Sequence, residues 1–132
     1  ILGCFRNGLS AYCDWNLTLD EKNGPYHNRT GRGCSAEAPV YCNKQTGELV
    51  FRSSYYYIGQ VSKFVKRGAK VIHSSSYTES LDYCAFKNPD GEVILTVMNR
   101  RDNKFALIVR LDGHIHKTDI PAHSIATFVI NK

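Results

Sequence analysis

From residue 69 onward the sequence breaks into six short runs: "AKVIHSS", "LDYCAFKN", "GEVILTVMN", "FALIVRL", "HIHKTDI" and "SIATFVIN". Each is rich in β-branched and aromatic residues. Turn-forming stretches punctuate them, among them "NPDG" at 88–91, "NRRDNK" at 99–104 and "LDGH" at 111–114. β-Branched and aromatic side chains suit a pleated, half-buried surface, and Asn, Asp, Pro and Gly supply turn backbone. Short strands at this spacing predict an antiparallel sandwich or part of one.

The first 68 residues have a different character. "ILGCFRNGLS" carries apolar side chains at 1, 2, 5 and 9, one face of a short helix that Gly8 weakens. Residues 11–19 place Tyr12 or Cys13, Trp15, Leu17 and Leu19 close to a period of two, which predicts a strand. The stretch from 20 to 39 is rich in Gly, Asn and charge, and predicts a long loop of the kind that often carries function. "VYCNKQTGELVF" (40–51) predicts two short strands around a turn. A helix follows, capped by Ser53 or Ser54, with Ile58, Val61, Phe64 and Val65 on one face, basic residues in its last turn and Gly68 as its stop. The tyrosines at 55–57 are expected to pack into a core, with one hydroxyl reaching water.

At 132 residues the chain is long enough for a buried core. The longest apolar runs are strand-sized, well short of the roughly 20 residues that cross a bilayer. The first residue is Ile1, with no Met and no signal segment, and we read this as a processed chain or an excerpt. A formal charge of +5 alone would permit nucleic-acid binding. The basic residues are scattered, however, and the densest group, "KFVKRGAK", falls where a helix end accepts cations, so nucleic acid is not an expected partner.

Five cysteines leave at least one thiol without a partner in the chain. Cys34 and Cys42 have a spacing that suits a local disulfide, whereas Cys4, Cys13 and Cys84 sit among apolar residues. His114 and His116 share a strand face, but two imidazoles are too few for a metal site, and no cofactor motif is present. Sequons at Asn16 and Asn28 permit a secretory location, although Asn16 is expected to be buried.

Candidate chemistry concentrates at Asp14, Trp15 and Asn16. Asp14 stands inside an apolar run, where it is either a structural acceptor or a site residue. Most other carboxylates fall in turns or exposed positions. Trp15 either fills a core or offers a flat apolar face to a ligand such as a sugar ring.

Four motifs in series, "DWNLTLDEKNGP", "SYYYIGQVSKFVKRGAKVI", "FKNPDGEVILTVMN" and "HSIATFVI", resemble the C-terminal part of glycoside hydrolase family 30, best its glucosylceramidase-like members. The family pattern for the first is D-W-N-x-x-L-(D/N)-x-x-G-G-P. The resemblance covers essentially the whole chain and implies the last strand and flanking helices of a (β/α)8 barrel at 1–68, followed by a β-sandwich at 69–132. It implies a retaining β-glucosidase acting on glucosylceramide or a similar β-glucoside. Trp15 would line the sugar subsite, with Asp14 and Asn16 bracing it. Both catalytic glutamates would lie upstream of residue 1, so the chain alone is expected to be inactive. The implied partners are the substrate and an N-terminal barrel segment. A sphingolipid substrate adds contact with a membrane surface, and the implied location is lysosomal or secreted. The alternative is a stand-alone module that binds carbohydrate or glycolipid. Asn23 departs from the family at the first Gly of G-G-P, and "YHNRTGRGC" replaces a more regular segment, so loop contacts are not carried over.

Overall fold

A computed structural model describes residues 1–24 and 37–131. Within them the chain forms two compact units, Ile1–Ser10 with Gln60–Lys132, and Ala11–Gly59. The first helix and the residues after Gly59 thus group with the C-terminal strands.

The larger unit is built on a four-stranded sheet in the order β4-β5-β6-β9: β4 (Lys70–Val71), β5 (Leu81–Lys87), β6 (Val93–Asn99) and β9 (Ser124–Ile130). All its pairings are antiparallel, with Cys84 opposite Thr96 and Thr96 opposite Thr127. The remaining two strands, β7 (Phe105–Leu111) and β8 (His114–Ile120), form a hairpin. Asp112 at φ 49° and Gly113 at φ 83° make its two-residue turn, the backbone that matches the twist of paired strands. All six expected strands are present.

The pleat sends alternate side chains of the sheet to opposite faces. On one face Cys84, Phe86 and Ile94 pack with Leu2, Phe5, Val61, Phe64 and Val65. Leu2 and Phe5 come from α1 (Leu2–Arg6), whose Phe5 ring meets Phe86 edge-on at 5.5 Å. Arg6 lies over the Tyr83 ring, 4.4 Å from its centroid. On the other face Leu81, Ala85, Leu95 and Val97 pack with Ile120 and the inward residues of β7. Strand β6 is covered on both sides, which explains why "VILTVM" reads as a continuous apolar run.

Two buried asparagines staple the loops. Asn99 is fully buried, and its Nδ2 donates to the carbonyls of Asn103, Ile120 and Pro121 while Oδ1 accepts from Arg101 N–H. The Asn88 amide donates to Phe64 O and accepts from Lys66 N–H at 3.0 Å each.

The helix α2 (Ser53–Ser62) ends earlier than its sequence pattern suggests. Lys66 therefore does not cap helix carbonyls; its ammonium pairs with Asp90 and with Glu92 instead. The tyrosines at 55–57 are exposed rather than buried.

The smaller unit holds a three-stranded sheet, β1 (Thr18–Asp20), β2 (Val40–Cys42) and β3 (Leu49–Phe51). β1 runs parallel to β2, and β2 antiparallel to β3. The two strands expected within 40–51 are both present.

Asn99→Ala removes the bonds to the Asn103, Ile120 and Pro121 carbonyls and the one accepted from Arg101 N–H, so it should cost about 1–3 kcal/mol. Urea unfolding followed by circular dichroism would measure this. A surface control, Arg110→Ala, should lie within about 0.5 kcal/mol of wild type.

Candidate functional site

The candidate residues lie in the smaller unit, on the segment that leads into β1. The strand expected over 11–19 is shorter and later, confined to Thr18–Asp20. Its only ladder among the described residues joins it to Val40–Cys42, and Asn16 at φ 58° breaks the extended backbone upstream. Asparagine is one of the few residues other than glycine that tolerates this left-handed conformation.

The consequence for side chains is direct. Leu19 is 2% exposed and anchors the strand, whereas Trp15 is 65% exposed and Leu17 73%. Trp15 is therefore not a core residue of this chain. Asp14 is also exposed, and among the described residues its Oδ1 accepts the Trp15 N–H next to it, at 2.9 Å. Asn16 is half-buried. The three residues stand together because they are consecutive.

The buried carboxylate is Asp20, one of those that turn position had marked as solvated. It is 8% exposed. Its Oδ1 accepts N–H groups from Lys22 at 3.0 Å and Gly24 at 2.6 Å, and its Oδ2 pairs with the Lys44 ammonium. Lys44 N–H in turn donates to Glu21 Oε2 at 3.1 Å. The Lys44 ammonium, reinforced by the Gly24 N–H, holds the Asp20 carboxyl below the usual range. Glu21 is also lowered, first by its own backbone N–H and then by that of Lys44.

This turn explains two residue choices. A Cβ on Gly24 would stand 3.0 Å from Asp20 Oδ2, so only glycine fits there without a shift. Asn23 has φ 61°, a conformation glycine favours and asparagine tolerates. The departure from G-G-P at position 23 is therefore compatible with the same turn. A signal for Asp20 was present in "DEKNG", an Asx-type turn closed by glycine. Nothing in the sequence indicated that Lys44 would reach it.

Cys34, the sequon at Asn28 and most of the expected loop lie outside the described residues, so the expected Cys34–Cys42 pairing does too. The Cys42 thiol faces Asn43 O at 3.9 Å. Cys4 and Cys13 are exposed, contrary to their apolar sequence neighbours, while Cys84 is buried. Burial pushes the Cys84 thiol up to about 11, which makes it inert near neutral pH. His114 and His116 are exposed on β8, and no three metal-ligating side chains converge among the described residues.

The C-terminal strands carry a recognised β-sandwich module: residues 68–128 match the glycosyl hydrolase family 30 beta sandwich domain. That match places residues 68–128 in glycosyl hydrolase family 30. It is 30% identical to an endo-1,6-beta-D-glucanase of Aspergillus fumigatus, an alignment spanning 98% of this chain and 27% of that protein. It is 26% identical to the lysosomal acid glucosylceramidase of Mus musculus, over 92% of this chain and 23% of the other. The crystal structure of SrfJ from Salmonella typhimurium superposes with a TM-score of 0.91 at 34% identity, covering 99% of this chain and 28% of that one. The chain thus spans about a quarter of the length of these relatives. A complete (β/α)8 barrel, at about 250 residues, is not contained in it.

Asp20 offers a check by pH. Its folded pKa is depressed, so its stabilising contribution is present above its unfolded value of about 4 and is lost as pH falls through the lower folded value. In Asp20→Asn, the acid limb of a stability-versus-pH curve should flatten below about pH 4 relative to wild type. Thermal melts at stepped pH would show an unchanged limb if Asp20 were unpaired in solution.

Proposed function

We propose that this chain is the C-terminal portion of a retaining β-glucosidase of the glucosylceramidase type, which hydrolyses the β-glucosidic bond of glucosylceramide or a similar β-glucoside. The observation that carries this reading is Trp15, the sole tryptophan, held 65% exposed in a chain whose residues 68–128 match family 30. A flat indole face that the fold leaves outside its own core is suited to stack on a sugar ring. Asp14 and Asn16 flank it on the same segment. In this reading 1–68 is the end of the barrel and 69–132 the sandwich.

The chain contributes a wall of the site, not its chemistry. Retaining glycosidases use two carboxyl groups about 5–5.5 Å apart, one of them a general acid whose pKa is raised. Asp20 and Glu21, the acidic residues beside the candidate segment, are both shifted downward and both engaged in hydrogen bonds. That is the wrong direction for a general acid near neutral pH. The catalytic glutamates belong, in this reading, to a barrel segment that packs on the smaller unit. Leu17, Leu49, Val50, Phe51 and Tyr56 are exposed there, an apolar surface of the kind that marks an interface. The same exposure weighs against a stand-alone binding module, which would leave it uncovered. The lysosomal or secreted location follows the resemblance to glucosylceramidase.

A second reading of the substrate rests on the higher identity to the fungal glucanase, 30% against 26% for the glucosylceramidase. There the bond cleaved is a β-1,6 linkage between glucose units.

The chain alone should release no aglycone from an aryl β-glucoside. Turnover that follows this chain through purification and survives both Glu21→Gln and substitution of the exposed glutamate ahead of β2, Glu37→Gln, would overturn the division of labour. Trp15→Ala should weaken saturable binding of a β-glucoside about tenfold, roughly 1.4 kcal/mol. Unchanged affinity would remove Trp15 from the sugar site. Comparing glucosylceramide with a β-1,6-linked glucose oligomer as ligands separates the two substrate readings.

A further inference from the structure

We propose that Asp20 is the positioning residue for Trp15: its buried carboxylate, clamped by Lys44 and the turn at 21–24, fixes the backbone from which the indole projects. The consequence for ligand binding rests on the carbohydrate-wall reading above; the positioning itself does not.

The adjacent acid cannot do this. Among the described residues Asp14 bonds to the residue that follows it, and it is exposed. A contact that moves with Trp15 cannot hold Trp15 in place. Asp20 bonds across 24 positions of sequence, from the end of β1 to the turn between β2 and β3. The backbone closes around it: Asp20 N–H donates to Gly24 O at 2.7 Å, and Asn23 N–H donates to Asp20 O at 2.9 Å. Lys44 is tied a second time through its own N–H to Glu21.

The ladder alone is slight. β1 pairs over three residues, Thr18 with Val40, Leu19 with Tyr41 and Asp20 with Cys42. Val40 N–H adds one bond to Leu17 O at 3.3 Å. Upstream lie Asn16, in the left-handed region, and the exposed Trp15. So short a strand is marginal by itself. The ion pair locks its downstream end, and the Leu17 carbonyl is the last anchor before the indole. Loss of Lys44 would leave a buried charge with backbone donors only, a costly arrangement, and the strand would have to shift to hydrate it.

Among the described residues, the charged groups around Asp20 are Glu21 and Lys22 on its own turn and Lys44 on the facing one. With Lys44 present, Asp20 is held ionised to lower pH than an ordinary carboxylate. Trp15 therefore keeps one environment while Asp20 stays ionised.

The test uses the full chain and its one tryptophan. Trp15 emission and iodide quenching are followed from pH 7 to pH 2.5 in wild type, Lys44→Met, Lys44→Arg, Asp20→Asn and Glu21→Gln, with far-UV circular dichroism as the check on folding. The wild-type signal should hold down to about pH 4 and change below it. Lys44→Met should raise that midpoint by roughly 1 unit or more, Lys44→Arg should restore it, Asp20→Asn should abolish the transition, and Glu21→Gln should leave the midpoint where it was. If Lys44→Met fails to fold, the wild type at about 1 M salt supplies the same weakening by screening, and its midpoint should rise. A midpoint indifferent to Lys44 and to salt, or a transition that persists in Asp20→Asn, overturns the proposal. Titrating the same samples with methyl β-glucoside separates the two claims. A wild type that binds nothing removes the carbohydrate wall and leaves the emission midpoints to decide the positioning. Affinity that falls together with the emission change supports both.

Discussion

Burial of β6 on both faces is the constraint on which the larger unit depends. Ile94 lies in the apolar cluster that Leu2, Phe5 and Val61 help to form, and Leu95 and Val97 lie in the cluster shared with the β7–β8 hairpin. A strand covered on two sides must have β5 and β9 beside it to satisfy its backbone, and those pairings run its whole length. Thr96, the polar residue of β6 on the same face as Ile94, is buried and finds Thr127 at 3.1 Å and the Gln60 carbonyl at 3.5 Å. No buried side-chain polar atom among the described residues lacks a partner. The sheet, its helical cover and its hairpin thus form one cooperative core, and the loops hang from the two buried asparagines.

The smaller unit obeys a different balance. It has little apolar burial beyond Leu19, Ala38 and Val40, so polar closure carries more of its definition. A carboxylate that accepts two backbone N–H groups and an ammonium is directional in a way that apolar contact is not. It specifies one turn, one glycine and one partner strand. Meanwhile the aromatic and aliphatic side chains of β3 and of the segment before β1 remain at the surface.

Legibility in the sequence followed the range of the interaction. The six C-terminal strands were readable because alternation and turn chemistry are local, and "LDGH" became a two-residue hairpin turn. The short helix at the start was readable for the same reason, but not that it would cover the sheet. α2 was placed correctly and ended too late, because Lys63, Lys66 and Arg67 look like helix-end cations. The Asp90 and Glu92 carboxylates that draw Lys66 away belong to a turn more than 20 residues on. Period-two spacing at 15, 17 and 19 suggested one buried face, yet only Leu19 is buried. Alternation shows which side chains share a face of a strand; a neighbouring strand is still needed to make that strand form.

The sequence by itself determined the antiparallel C-terminal strands, their turns and the resemblance to family 30. These depend on backbone preferences and side-chain spacing within a few residues, which any chain with this order must express. Only the tertiary structure decided that Trp15 stands in solvent, that Asp14 is exposed and accepts the N–H of its neighbour, and that Asp20 is buried. Those outcomes depend on which residues meet across long separations. Lys44 reaches Asp20 because β2 pairs in parallel with β1, a register that no local pattern encodes.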